Sequence, residues 1–313
     1  MKSLKIIVIG LVFTLLFSLV ANASKFDYQL KPLKVADSTY VFVGKTEDFT
    51  FENGGNIVNT GFIVTSAGVV VIDSGPSLRY GQQMKAAIKA VTKLPIKAVL
   101  LTHHHPDHFL GNQAFEGTDI LALASTVKNI KVEGAGFADN LYVMVGDWMR
   151  GTDVVEPTKT LAPGFLVIGE HKLEILTYSG HTSGDMAILD HNTGVLFSGD
   201  LIFHKRTLTT PHADINIWLS SIKSLSKLSF NVLVPGHGAV SHNKKALTEM
   251  VEYLTWLDVT FKKAASNGLS MNEAMQIKLP TKFNSNALLK QEFSRSVIHL
   301  FPSYESEVFK RLN

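Results

Sequence analysis

The sequence predicts a layered α/β sandwich followed by a helical extension, and three observations predict it. Two stretches of the chain each read as a β meander, then a helix, then a further strand. Both of those further strands run into histidines, and beyond His242 the pattern turns mainly helical.

In the first stretch, "TYVFVG", "NIVNTGFIV" and "GVVVIDSG" are rich in β-branched residues and punctuated by Gly, Asn and Ser, so they read as strands. "SLRYGQQMKAAIKAVTK" has helical composition, with Leu78, Met84, Ile88 and Val91 able to share one face. "IKAVLLTH" reads as a buried strand that delivers His103. The second stretch follows the same pattern. In it "FLVIG", "HKLEILTYSGH", "MAILD" and "VLFSGD" are strand-like, "INIWLSSIKSLSKL" is helical, and "FNVLVPGHG" is a strand ending at His237.

After it, "KKALTEMVEYLTWLDVTFKKAASNG" reads as a long helix closed by Gly268, with shorter helices around Met271–Gln276 and Asn286–Leu300 and Pro280 between them. Residues 24–243 are expected to form the main domain. Residues 244–313 are expected to be a helical extension packed on it, because they are too few for a separate core.

The first 23 residues are expected to be a cleaved secretory leader: Lys2 and Lys5 precede an apolar run, Ile6 to Val20, and "ANA" at 21–23 is a small-x-small cleavage signal. The run is shorter than the roughly 20 residues of a spanning helix, and Ser24, not cysteine, follows the cut. The expectation is therefore an exported, periplasmic protein without stable membrane insertion. Removing Lys2 and Lys5 lowers the formal charge from +3 to +1, which offers nucleic acid or anionic lipid little attraction. The chain has no cysteine, so disulfides cannot support the fold, and any metal must be held by nitrogen and oxygen.

The segment "THHHPDHFLG" packs four histidines and an aspartate into six positions. In extended backbone, alternation aims His103 and His105 at one point and turns His104 away. Pro106 stiffens the turn that follows, and Asp107 and His108 lie just beyond it, so one loop offers two ligand sets. Further candidates are expected at the ends of strands beside glycines: His181, Asp200 and His237. Imidazole and carboxylate without thiolate suit zinc, and manganese or iron fit the same donors. Asp73 reads either as support for a metal-bound histidine or as a turn initiator. His171, His191, His242 and His299 lie outside these motifs and read as surface or packing residues.

H-x-H-x-D-H followed by separate GHT, SGD and PGHG motifs resembles the metallo-β-lactamase-fold hydrolases, over roughly Tyr40 to Gly238. The resemblance implies a four-layer αββα sandwich with the site along one edge. It implies that His103, His105 and His181 hold one metal, that Asp107, His108 and His237 hold another, that Asp200 bridges them, and that Asp107 orients the nucleophile. Two zinc ions are the implied cofactor. The bridging aspartate is closer to glyoxalase II-like members than to true β-lactamases. "TEDFTFENGGNIVNTGFIV", "FADNLYVMVGDWMRG" and "GDLIFHKRTLTTPHADINIWL" narrow the resemblance to exported quinoprotein relay system zinc metallohydrolases, which implies a quinoprotein dehydrogenase partner.

The expected reaction is hydrolysis of a small carbonyl-containing substrate: an ester, lactone, thioester or β-lactam. The loop "HKRTLTTPHAD" follows Asp200, which makes His204, Arg206, Thr210 and His212 candidates for substrate contact, against a role in loop packing. "GDWMRG" could line a pocket or end an amphipathic helix. Two alternatives compete: a mononuclear iron sulfur dioxygenase using His103, His181 and Asp200, and a non-catalytic metal-binding accessory protein of a quinone-dependent electron chain.

Overall fold

A computed structural model describes residues 26–312 of the chain. The leader at 1–23 and its cut before Ser24 lie outside the described residues. Among the described residues, no helix is long and apolar enough to cross a membrane.

Strands β1 (Leu33–Ala36), β2 (Thr39–Phe42), β3 (Thr60–Thr65) and β4 (Gly68–Ile72) form an antiparallel meander. Helix α1 (Leu78–Val91) then crosses to β5 (Ile96–Leu100), which lies parallel to β4. The short helix α2 (Pro106–Phe109) leads to β6 (Asp119–Ala122). Helix α3 (Ala124–Val145) leads to β7 (Lys159–Thr160), so the first sheet has seven strands in sequence order.

The second sheet repeats this plan. Strands β8 (Gly164–Ile168), β9 (His171–Tyr178), β10 (Asp185–Asp190) and β11 (Val195–His204) are antiparallel, and helix α4 (Ile215–Leu225) crosses to β12 (Val232–Gly238), parallel to β11. Crossover helices are what parallel neighbours require.

Side-chain alternation along the strands builds the layers. Val70 and Ile72 face inward and pack with Ile188, Phe197 and Val234 of the other sheet. Val69 and Val71 face outward onto Tyr80, Met84 and Ile88 of α1. On the second sheet, Leu189 and Leu196 point outward into a cluster with Trp218 and Ile222 of α4. The order is helix, sheet, sheet, helix.

Three helices follow: α5 (Lys245–Ser266), α6 (Met271–Ala274) and α7 (Leu289–Leu312). Leu254, Leu257 and Phe261 of α5 and Phe293 and Val297 of α7 belong to the same cluster as Trp218. Gly268, at φ +72°, closes the turn after α5. Ser270 and Glu273 cap α6 reciprocally.

Several elements differ from the sequence expectation. The strand expected from Asn56 begins at Thr60, and residues 51–58 are turns. Gly54 and Gly55 adopt positive φ there, and the Asn59 side chain ties the segment to the carbonyls of Pro235 and Gly238. On α1 the buried face runs through Tyr80, Met84 and Ile88, while Val91 is exposed. Helix α3 has no counterpart in the sequence reading, because Gly134 and Gly136 interrupt it. Its apolar residues are also split, with Ile130 and Leu141 buried and Val132 and Val143 exposed.

Candidate metal centre

The first half of the site is built by the strand end after β5. Leu101 is buried, and Thr102 is held at both its N–H and its hydroxyl by the Asp73 carboxylate, at 2.8 and 2.9 Å. Asp73 follows β4 and adopts φ +57°, an uncommon conformation for a residue with a side chain. The same carboxylate accepts a 2.8 Å bond from His108 Nδ1, so it is both the turn residue and the support for a histidine.

His105 is extended, and Pro106 opens the single turn of α2 that carries Asp107 and His108. Alternation then operates as expected. His103 Nε2 lies 3.0 Å from His105 Nδ1, while His104 points away, toward Glu133 and Phe137.

The second half supplies three residues from three places. His181 sits in the loop after β9, where Asp185 accepts bonds from the His181 N–H, the Thr182 N–H and the Thr182 hydroxyl. Burial raises the Asp185 carboxyl to about 6 despite these bonds. Asp200 lies inside β11 and not at its end, where the pairing with β12 slips on both sides of Gly199. A Cβ at Gly236 would collide with Asp200 Oδ1, which accounts for the glycine before His237. His237 turns Nδ1 toward the carbonyl of Ile57 at 2.8 Å and leaves Nε2 facing the centre.

The seven residues form one buried constellation. His181 Nε2 is 2.9 Å from His105 Nδ1, which closes the set His103, His105, His181. Asp107, His108 and His237 make a second set, with His237 Nε2 3.3 Å from Asp107 Oδ2. Asp200 lies between the sets. Its Oδ1 is 3.1 Å from His108 Nε2, and its Oδ2 is 3.3 Å from His181 Nε2 and 3.2 Å from His237 Nε2.

The electrostatics suit cation binding. Burial holds His103 and His105 well below the ordinary histidine range, hence neutral with lone pairs available. Burial would also lower His108, but the carboxylates of Asp200, Asp73 and Asp107 outweigh it and raise the group. Burial opposes ionisation of Asp200, yet His237, His108 and His181 together hold its carboxyl well below its usual range.

Asp107 Oδ2, His108 Nε2 and Asp200 Oδ1 are buried and make no hydrogen bond. His108 Nε2 and Asp200 Oδ1 meet one another, and Asp107 Oδ2 meets His237 Nε2, as ion-pair contacts and not as directed hydrogen bonds. Their convergence with the neutral imidazoles of His103 and His105 is what a divalent cation satisfies. The nitrogen and oxygen donors fit divalent metal ions.

A cavity of about 230 Å³ opens on this centre. Phe49, Ile57, Phe137 and Met144 make much of its wall apolar. Arg206 and His212 line it, but His204 and Thr210 do not. His204 Nδ1 donates to the Ala239 carbonyl, and Thr210 is buried with its hydroxyl on Ser296.

His299, read from sequence as a surface or packing residue, stands on the wall together with Arg295, so α7 shapes the cavity. Arg295 pairs with Glu292 and Asp48, and Glu292 also pairs with Arg206. No motif marked Arg295, because the cavity it lines and its partner Asp48 are distant in sequence. The "GDWMRG" residues are absent from the wall: Trp148 is buried with its indole N–H on the Phe51 carbonyl, and Arg150 pairs with Asp147 at the surface.

The family description of the Metallo-beta-lactamase superfamily matches residues 53–237. The linear primary-alkylsulfatase of a Pseudomonas species is 21% identical over 275 residues, 74% of this chain and 52% of that protein. This chain thus spans about half the length of that relative. The acyl-coenzyme A thioesterase MBLAC2 of Homo sapiens is 26% identical over 219 residues, 60% of this chain and 75% of the relative. A metallo-beta-lactamase from Pontibacter korlensis has the same fold, with a TM-score of 0.59 at 22% identity over 72% of this chain and 99% of its own.

Proposed function

This chain belongs to the metallo-β-lactamase superfamily, and on that premise we propose that it is an exported dinuclear zinc hydrolase of a small carbonyl-containing substrate, within a quinoprotein-linked system. The observation that carries the reading is Asp200: one carboxylate oxygen faces His108 and the other faces His181 and His237, so the side chain spans both donor sets. A mononuclear site would leave Asp107, His108 and His237 buried without purpose.

Two zinc ions in these sets would supply hydroxide at neutral pH and polarise the acyl oxygen. His103, His105 and His181 hold one position, and Asp107, His108 and His237 the other. Asp73 fixes the ring of His108, and the Ile57 carbonyl fixes that of His237. Asp107, in the second set, would also orient the nucleophile. Phe49, Ile57, Phe137 and Met144 would receive the acyl part, with Arg206, Arg295 and His212 on the same wall available to its polar groups.

Export is supported by Lys2, Lys5, the apolar run to Val20 and the "ANA" motif. The mass of the protein recovered from the periplasm should correspond to a chain beginning at Ser24.

The function is tested by elemental analysis of the purified protein and turnover of a panel of aryl esters, lactones, acyl thioesters and β-lactams. The expected result is at least two zinc ions per chain, with hydrolysis reduced by about 10²–10³ or more in Asp107→Ala. One iron per chain with substrate-dependent oxygen uptake would replace this reading with the dioxygenase. Metal binding without turnover of any panel member would replace it with the accessory protein.

A further inference from the structure

His105 has a second nitrogen, and it faces another cluster of donors. Its Nε2 lies 2.9 Å from His212 Nδ1. His212 Nε2 is 3.3 Å from Glu133 Oε2, and the same carboxylate oxygen is 3.7 Å from His104 Nε2. Donor atoms of His104, His105 and His212 all lie within 4.8 Å of one another. His104 is 1% exposed, and neither of its ring nitrogens has a hydrogen-bond partner. Buried polar atoms are almost always paired, so a fully buried ring with both nitrogens bare requires a reason.

We propose that His104, the Nδ1 of His212 and the Nε2 of His105 form an auxiliary site for a divalent first-row metal ion, with Glu133 supporting the His212 ring from Nε2 and His105 bridging that site and the main centre through the two nitrogens of one ring. The inference rests on the reading that His105 Nδ1 serves the main centre. Three imidazoles, one of them braced by a carboxylate, are a donor set that zinc or copper accepts and calcium or magnesium does not.

Glu133 and Phe137 are one turn apart on α3, and Phe137 lies about 6 Å from the rings of His104, His105 and His212, which shields the cluster on one side. His212 is about one-third exposed and lines the substrate cavity, which gives an ion its path in. On loading, His105 binds through both nitrogens as imidazolate, and its ring proton leaves to solvent. The cavity thereby acquires a Lewis-acidic wall beside the hydrolytic centre.

The test is a calorimetric titration of metal-stripped protein with zinc, followed by gel filtration and elemental analysis. About three zinc ions per chain are expected for the unaltered protein and about two for His104→Ala. Glu133→Gln should weaken the third equivalent at least tenfold and leave the first two unchanged. With cobalt(II), filling the third equivalent should change the d–d absorption of the first two through the shared ring, a change missing from His104→Ala. If His104→Ala does not fold, His212→Asn serves the same test from the partly exposed side.

Equal stoichiometry of two in the unaltered and variant proteins overturns the proposal and leaves His212 and Glu133 as a hydrogen-bonded support for His105. A stoichiometry of one or none in both overturns the dinuclear reading as well.

Discussion

The two sheets contribute to one candidate metal centre in opposite ways. The first sheet delivers His103, His105, Asp107 and His108 from six consecutive positions at the end of β5, with one local anchor, Asp73. The second sheet delivers His181, Asp200 and His237 from a loop and two strands spread over 57 positions of sequence, each held by its own device. A local cluster needs a turn, whereas a dispersed one needs the register of a whole sheet. Perturbing the first half should therefore act through ligand chemistry and perturbing the second through geometry.

Asp200 joins the halves, so its loss should cost most. Asp200→Asn is expected to lower kcat/KM by about 10³ and to release one of the two metals of the main centre. Unchanged metal content would break the comparison at its centre. Next comes Asp73→Ala, which removes the anchor of the first half without touching a ligand. Metal affinity should fall about 10–100-fold, and the metal-free protein should also lose stability, because the buried Thr102 N–H and hydroxyl lose their acceptor.

Gly236→Ala probes the second half. The added methyl collides with Asp200 and the Gly199 backbone, so urea denaturation should show a loss of about 1–3 kcal/mol. A variant as stable as the parent would show that β11 and β12 can yield.

Asp185 gives a pH test of the same half. Burial raises its folded pKa from 3.8 to about 6, so between those values the folded chain binds more protons than the unfolded one. Its contribution to stability therefore falls as pH rises through that window. In metal-free protein, Asp185→Asn should remove that part of the pH slope, and an unchanged slope would contradict the assignment.

The smallest effect belongs to an exposed tie between the hairpins of the two sheets. Glu170, beside β8, accepts a 2.8 Å bond from the Ser66 N–H beside β3. The hydrogen bonds with Ser66 lower its carboxyl from 4.5 to about 2. Its contribution is present above pH 4.5 and is lost as pH falls toward about 2. Glu170→Gln should lower Tm slightly at neutral pH, with the difference from the parent closing on acidification.

Composition, alternation and motif spacing were enough to read the fold class, the repeated meander-helix-strand plan and the seven side chains that converge in the buried constellation, because each is written in local sequence. Alternation even turned His104 away from the donor set of His103, His105 and His181, although 103–105 lie in the loop after β5. What tertiary structure decided are relations between distant segments. Gly236 makes room for Asp200 inside β11 and Gly199 for Thr102, α7 brings Arg295 and His299 to the cavity wall, and α3 sets Glu133 beside His104 and His212. The weakly patterned α3 and the turns at 51–58 escaped the sequence reading for the same reason. Their conformations are held by contacts with other elements, such as Trp148 against Gly54 and Asn59 on β12. A side chain's type and local direction follow from its neighbours in the chain, but what it faces depends on packing, which is non-local.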